Sequence, residues 1–242
     1  MARERYLLNE EESSIHRNQI KPTTVKEKTE NWWFHYKAHV ITAVLIVAAA
    51  VSIVFSVINK DHPDYTVTVM TEFTLPAEVV QDMETHLEKY AEDLNEDGEV
   101  MVSVQALCFS TKASSEYEVS QLQASFVQFA ADASAGDSML FIYDDASYEY
   151  LNQNDLEGFF APVDETGKEY YLWSEMKDLE ALELNAYAEN NSVENVKQIF
   201  GDLKVSIRTE DGAAFEKEEK REYHKACEEM FDRMLNDEPT AE

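Results

Sequence analysis

Residues 65–71 read YTVTVMT and residues 139–143 read MLFIY, and this pair decides the fold. The first stretch alternates and is β-branched, the pattern of a strand. The second is apolar without a break. A strand reads that way when both its faces are covered, as in a sheet between two layers of helices. Between the two, Pro76 suits a helix start, and Val79, Val80, Met83, Leu87 and Tyr90 recur at helical spacing on one face. Val100–Phe109, VMVSVQALCF, reads as a second strand, and Val119, Leu122, Phe126 and Phe129 mark a second amphipathic helix. After MLFIY come a short helix at 146–151, an aromatic-rich loop region, a polar helical stretch within 174–200 and a strand at Leu203–Thr209. A closing helix from about Ala213 to Leu235 turns Tyr223, Ala226, Cys227, Met230 and Met234 inward. Strand, helix, strand, helix, strand predicts parallel pairing with right-handed crossovers. The expected fold is α/β: a three-layer domain over residues 61–242 with a mostly parallel sheet of four or five strands.

Upstream of the strands, Ala38–Ile58 reads AHVITAVLIVAAAVSIVFSVI and contains no Asp, Glu, Lys or Arg. Its 21 residues, at about 1.5 Å each, match the roughly 30 Å hydrocarbon core of a bilayer. Trp32, Trp33, Phe34 and Tyr36 precede it, where amphipathic rings settle at a membrane interface. Near the span, Lys26, Lys28 and Lys37 lie on its N-terminal side against Lys60 alone within reach on the other. The positive-inside rule therefore places the N-terminus in the cytoplasm and the large domain outside it. A cleaved signal peptide has a shorter leading region and a shorter apolar core, so a permanent single-pass anchor in the cell membrane is expected. The organisation that follows is a flexible cytoplasmic tail at 1–25, an interfacial and transmembrane helix at 26–60, and an acidic extracytoplasmic domain at 61–242. His35 and His39 stand four apart on one helix face, a spacing that can hold a metal, but no further ligand accompanies them at fixed spacing.

Charge is divided unevenly. Residues 1–37 carry seven Lys/Arg against six Glu, and the chain from Lys60 onward carries 13 Lys/Arg against 43 Asp/Glu. A domain this acidic repels phosphate backbones, which argues against nucleic acid as a partner. It is compatible with cations and basic surfaces, and equally with plain solubility. The two cysteines, Cys108 and Cys227, make neither a disulfide framework nor a Cys-rich zinc site. Whether they pair is not readable from spacing.

Residues 93–100, DLNEDGEV, form the strongest chemical motif. Asp93, Asn95 and Asp97 alternate and Gly98 permits a sharp turn, a spacing that converges oxygens as a calcium loop does. Asp93, Asn95, Asp97 and the backbone carbonyl of Glu99 would be the metal ligands, with calcium as the cation. The bidentate Glu that such loops carry at the twelfth place is Val104 here. An acidic turn from helix to strand, with Asp-Gly supplying the bend, explains the same residues without metal. Tyr170, Tyr171 and Trp173 fall in a loop, where exposed rings would stack on a sugar or peptide; buried, they would fill the core. Asp144 and Asp145 end the central strand, and ligands of parallel sheets sit beyond the carboxyl ends of strands, so these two and Asp137 are candidate ligand-binding residues. Helix capping by Asp144 or Asp145 is the alternative.

Enzyme signatures are absent: there is no G-x-S-x-G, H-E-x-x-H or phosphate-cradling glycine loop, and the chain has only six glycines. No catalytic pair can be singled out among so many carboxylates.

Residues 135–164, AGDSMLFIYDDASYEYLNQNDLEGFFAPVD, resemble a segment of bacterial extracellular solute-binding proteins. Gly136, Asp137, the strand at 139–143, Asp144, Tyr150, Leu151, Gly158, Phe160, Pro162 and Asp164 follow in the same order, with Val163 in place of the usual Leu. The resemblance implies a domain like one lobe of a periplasmic-binding-protein fold. Those proteins hold ligand between two lobes, and the exported segment is long enough for only one. Residues 30–41, ENWWFHYKAHVI, look like a group of uncharacterised single-pass membrane proteins of gut Firmicutes that carry a small acidic exported domain. The expectation from all of this is a non-enzymatic, membrane-anchored extracytoplasmic interaction module, derived from a solute-binding lobe, with the lipid bilayer and a protein partner or a second copy of itself as its partners. The second expectation is a small-ligand or calcium sensor at the cell surface, and the third a cell-surface hydrolase.

Overall fold

The computed structural model of the chain describes residues 24–58, 63–110, 112, 114–153, 158–185, 187 and 192–240. The chain divides into two units, residues 1–61 and 62–242. Nearly all of the expected cytoplasmic tail lies outside the described residues.

Among the described residues the first unit holds one helix, α1 (Val25–Ile58). Thr24 and Glu27 start it with reciprocal hydrogen bonds of 3.3 Å, each backbone N–H donating to the other side chain. Its stretch Val25–Ser52 is apolar and long enough to cross a membrane, and none of that stretch is buried against protein. The Trp32 and Tyr36 rings stack at 5.8 Å ahead of the apolar run. His35 and His39 pack against neighbouring rings, Phe34 and Tyr36 respectively.

The second unit is α/β. Its elements are β1 (Tyr65–Thr71), α2 (Ala77–Glu88), β2 (Val102–Cys108), α3 (Glu116–Ala135), β3 (Leu140–Tyr143), α4 (Asp145–Asn152), β4 (Tyr171–Leu172), α5 (Asp178–Ala181), α6 (Val193–Gly201), β5 (Lys204–Ile207) and α7 (Glu218–Asn236). The five strands form one sheet in the order β2-β1-β3-β5-β4. β1 pairs in parallel with β2, Tyr65 opposite Val102, and with β3, Val67 opposite Leu140. β5 runs antiparallel to both β3 and β4. The sheet is thus mixed rather than mostly parallel as the alternating strands and helices predict. The reason lies in the 60 residues between β3 and β5, which carry α4, β4, α5 and α6 instead of a single crossover helix. They deliver the chain back to the end of β3 where it left, so that Lys204 enters opposite Tyr143. Parallel pairing would need a return to the other end.

β3 accounts for the unbroken apolar run. Leu140 and Ile142 face a core shared with Val67, Val69 and Val205, closed by Met83 and Leu87 of α2, Phe200 of α6, and Met230 and Met234 of α7. Phe141 and Tyr143 face a second core with Met70, Leu107, Phe129 of α3 and Leu151 of α4. Apolar side chains are therefore needed at every position of the strand. Trp173, expected in a loop, is fully buried in the first core, its ring stacked on Phe200 at 5.6 Å.

Edge strand β2 is closed by side chains. The Val104 N–H donates to Glu84 Oε1 at 2.9 Å and the Cys108 N–H to Ser125 Oγ at 3.2 Å. Glu88, one turn further along α2, has its carboxyl raised first by burial. Glu84 and Glu88 sit four residues apart, hence on one face of α2, which sets both against the strand.

Candidate functional site

In a sheet ordered β2-β1-β3 the chain switches direction between β1 and β3, and ligands of such folds bind beyond the carboxyl ends of the strands there. In this protein that position is filled from within. Asp144 Oδ2 accepts the Glu72 N–H at 2.6 Å, and Oδ1 accepts the Ser147 N–H at 2.8 Å, capping α4. The start of α3, beside the same end of β2, is filled in the same way. Glu118 accepts the N–H groups of Ser114 at 2.7 Å and Ser115 at 3.0 Å, which holds its carboxyl down at about 2. Ser115 Oγ returns a cap to the Glu118 N–H. Two of the chain's own carboxylates thus occupy the donors that a bound anion would use. A pocket of about 320 Å³ remains here, lined by Glu72, Cys108, Ser115, Tyr117 and Gln121 among others.

The other ligand candidates are dispersed. Asp137 lies at the opposite end of β3 from Asp144, ion-paired with Lys220 at 3.0 Å. Asp145 pairs with Lys204, whose ammonium also lies 4.5 Å from the Tyr170 ring centre and 5.3 Å from that of Tyr148. Lys204 therefore brings Asp145 and Tyr170 together. Tyr171 is half-buried in β4, with its hydroxyl on the Val163 carbonyl at 3.3 Å. Trp173 Nε1–H donates to the Asp178 carboxylate, at 3.2 and 3.1 Å to its two oxygens. The remaining rings of the aromatic run fill the second core: Tyr143 stacks on Phe160 at 4.9 Å and on Tyr148 at 5.3 Å.

The acidic loop is curled on itself. Asp93 Oδ1 and Asn95 Oδ1 converge on the Asp97 N–H, at 3.2 and 2.8 Å. Asp93 Oδ2 accepts the Gly98 N–H and Asp97 Oδ1 the Glu99 N–H. Glu96 and Gly98 both take positive φ, 58° and 92°, to close the curl. Asp64, just ahead of β1, anchors it: its buried carboxylate accepts the N–H groups of Leu94, Asn95 and Met101. Among the described residues no group of three or more His, Cys, Asp or Glu side chains is placed to hold a metal ion.

Two features were not singled out from the sequence. One is an acidic cleft of about 620 Å³ at the amino ends of β1 and β3, lined by Asp64, Asp132, Asp137, Glu219, Lys220 and Tyr223 among others. Burial, then the nearby Asp137 charge, raises the Asp132 carboxyl, and one Asp132 oxygen is buried without a hydrogen-bond partner among the described residues. The other is the outer face of α3. Phe129 is buried and Leu122 and Phe126 are half-buried, as their spacing predicts. Val119, expected on the same inward face, is exposed, together with Tyr117 at 76% and Val127 at 66%. From Val119 through Ala131 the helix carries no charged residue. The absence of charge along a helix, rather than its apolar period, was the available signal.

The chain matches no known protein family, no curated protein and no solved structure.

Proposed function

We propose that this chain is a membrane-anchored interaction module, held in the cell membrane by α1 with its acidic α/β unit on the extracytoplasmic side, and that it acts by binding rather than catalysis. The observation that carries this reading is the outer face of α3: an uncharged, partly apolar strip on a unit whose Asp and Glu outnumber Lys and Arg 42 to 12. A solvated helix on such a unit gains nothing from exposing Tyr117, Val119 and Val127, whereas a helix that docks does. The self-occupied carboxyl end of the sheet supports the same reading, since it leaves the usual ligand position of a solute-binding lobe filled by Asp144. Descent from such a lobe is in keeping with the three parallel strands flanked by helices. The test is co-purification from mild detergent with shaving of intact cells by protease. The reading expects a specific complex lost on Val127→Asp, and an acidic unit that protease removes. A monomeric chain whose unit resists shaving would sink it.

The convergence of Asp93 and Asn95 oxygens on one point favours a second reading, a calcium sensor using Asp93, Asn95, Asp97 and the Glu99 carbonyl. Thermal unfolding with and without millimolar calcium decides it, because a ligand that binds only the folded state raises the midpoint. An unchanged midpoint removes this reading and leaves the first intact.

A further inference from the structure

We infer that the acidic cleft at the amino ends of β1 and β3 binds a small organic diamine, two primary ammonium groups joined by a short methylene chain. This site is separate from the outer face of α3 and does not depend on what docks there. The cleft holds about 620 Å³, within the range of small-ligand sites. Its carboxylates come from two places in the fold. Asp132 and Asp137 stand in the last turn of α3 and just after it, and Glu219 and Glu222 stand on α7. Pro63, Leu94 and Ala226 add apolar surface to the same cleft. The α7 dipole accounts for Glu219 in the first turn of that helix, but not for Glu222 beyond it. At the carboxyl end of α3 the dipole opposes Asp132.

Asp132 also lacks a donor. Its Oδ2 is buried and accepts no hydrogen bond from any described residue. Burial, then the Asp137 charge, raises its carboxyl. Buried acceptors are nearly always satisfied, and one left open in the wall of a cavity marks where a ligand's donor enters. The ammonium already present shows how this wall holds such a group. Lys220 Nζ donates to the Gly136 carbonyl at 2.9 Å and to Asp137 at 3.0 Å, and lies 5.8 Å from the Tyr223 ring centre. It neutralises Asp137. Asp132, Glu219 and Glu222 form no ion pair among the described residues.

Charge and spacing select the ligand class. A lining in which Asp64, Asp132, Asp137, Glu219 and Glu222 face Lys220 alone repels anions and draws cations. Asp64 is already engaged by three backbone N–H groups. A single metal ion does not match, because among the described residues no three His, Cys, Asp or Glu side chains converge on one point. Carboxylates that stand on separate elements without converging suit two separated positive charges. The apolar lining suits the methylenes that join them.

The experiment titrates the full chain in detergent with 1,4-diaminobutane by calorimetry at fixed ionic strength. The diamine is expected to bind at least tenfold more tightly than n-butylamine, which has one charged end, and than magnesium, which carries both charges at one point. Glu222→Gln and Asp132→Asn are each expected to weaken the diamine at least fivefold with the circular dichroism unchanged. Glu78→Gln, which removes a charge from α2 outside the cleft, is expected to change it less than twofold. Should Asp132→Asn fail to fold, the exposed Glu222→Gln decides alone. Equal weakening by Glu78→Gln and Glu222→Gln, or magnesium binding as tightly as the diamine, would reveal a general counter-ion effect and overturn the inference. So would millimolar diamine that gives neither heat nor a shift in the unfolding midpoint.

Discussion

His86 on α2 and Asp178 at the start of α5 meet at 3.2 Å, Nε2 to Oδ2, with side chains 1% and 0% exposed. The same carboxylate accepts Trp173 Nε1–H, so one buried Asp ties α2 to the segment carrying β4 and α5. Removing it strands a histidine and an indole N–H in the core. Asp178→Ala is expected to destabilise the acidic unit by about 3 kcal/mol, the scale for breaking a buried polar pair on one side. Denaturant titration of the full chain in detergent checks this, and a loss under about 1 kcal/mol would show that the pair contributes little.

Glu84 and Glu88 predict the behaviour of the sheet edge. Glu84 takes the Val104 N–H, which would otherwise help template another strand, and Glu88 covers the same edge one turn further on. The double variant Glu84→Ala, Glu88→Ala is expected to form larger species on warming, seen as a rise in light scattering. Glu84→Gln, which keeps an acceptor, is expected to behave as the parent. Identical scattering from the double variant and the parent would refute the role.

Glu118 predicts an acid response at the start of α3. Its carboxyl is held at about 2, against an ordinary value of 4.5, by the Ser114 and Ser115 N–H groups. A carboxyl lowered by folding stabilises the fold above its unfolded value and loses that contribution as pH falls through its folded value. The first turn of α3 is therefore expected to loosen between about pH 4.5 and 2. Glu88 and Asp132, raised by burial, act in the opposite sense, with contributions that grow as pH falls. A carboxyl titration of Glu118 by NMR with a midpoint near 4.5 would contradict the geometry.

The thiols are expected to differ in reactivity. Cys227 is buried on the inner face of α7, and burial pushes its thiol up to about 12. Cys108 is half-buried at the end of β2, its thiol donating to the Glu72 carbonyl at 3.6 Å. Both are free, so the sequence's open question of pairing is answered for this structure. A thiolate-specific reagent at pH 8 is expected to label Cys108 at least tenfold faster, and Cys227 only after denaturation. Equal labelling rates would mean that α7 opens readily.

Much of the fold was legible because it follows from local periodicity. β1, β3, α2, α3 and α4 appear within a few residues of where their patterns put them, since a half-buried helix and a doubly covered strand each impose a period on the chain. Direction was not legible. LKVSIRT reads the same whichever way β5 runs, and its antiparallel course is set by where α6 delivers Lys204. Nor was β4, whose two residues hold no period. The candidate site was less legible than the fold, because carboxylates acting as backbone acceptors look like carboxylates awaiting a ligand. Asp144 and Glu118 cap helices, and Asp64 gathers three N–H groups from residues 30 to 37 positions away.

The bond from the Thr66 N–H to the Tyr223 hydroxyl spans 157 positions of chain, and α7 supplies Met230 and Met234 to the core under the earliest strand. During synthesis, then, β1 waits for α7. A product terminated before Glu218 would keep every strand yet leave Val67, Ile142 and Val205 bare on one side, a target for proteolytic quality control rather than a shortened working copy.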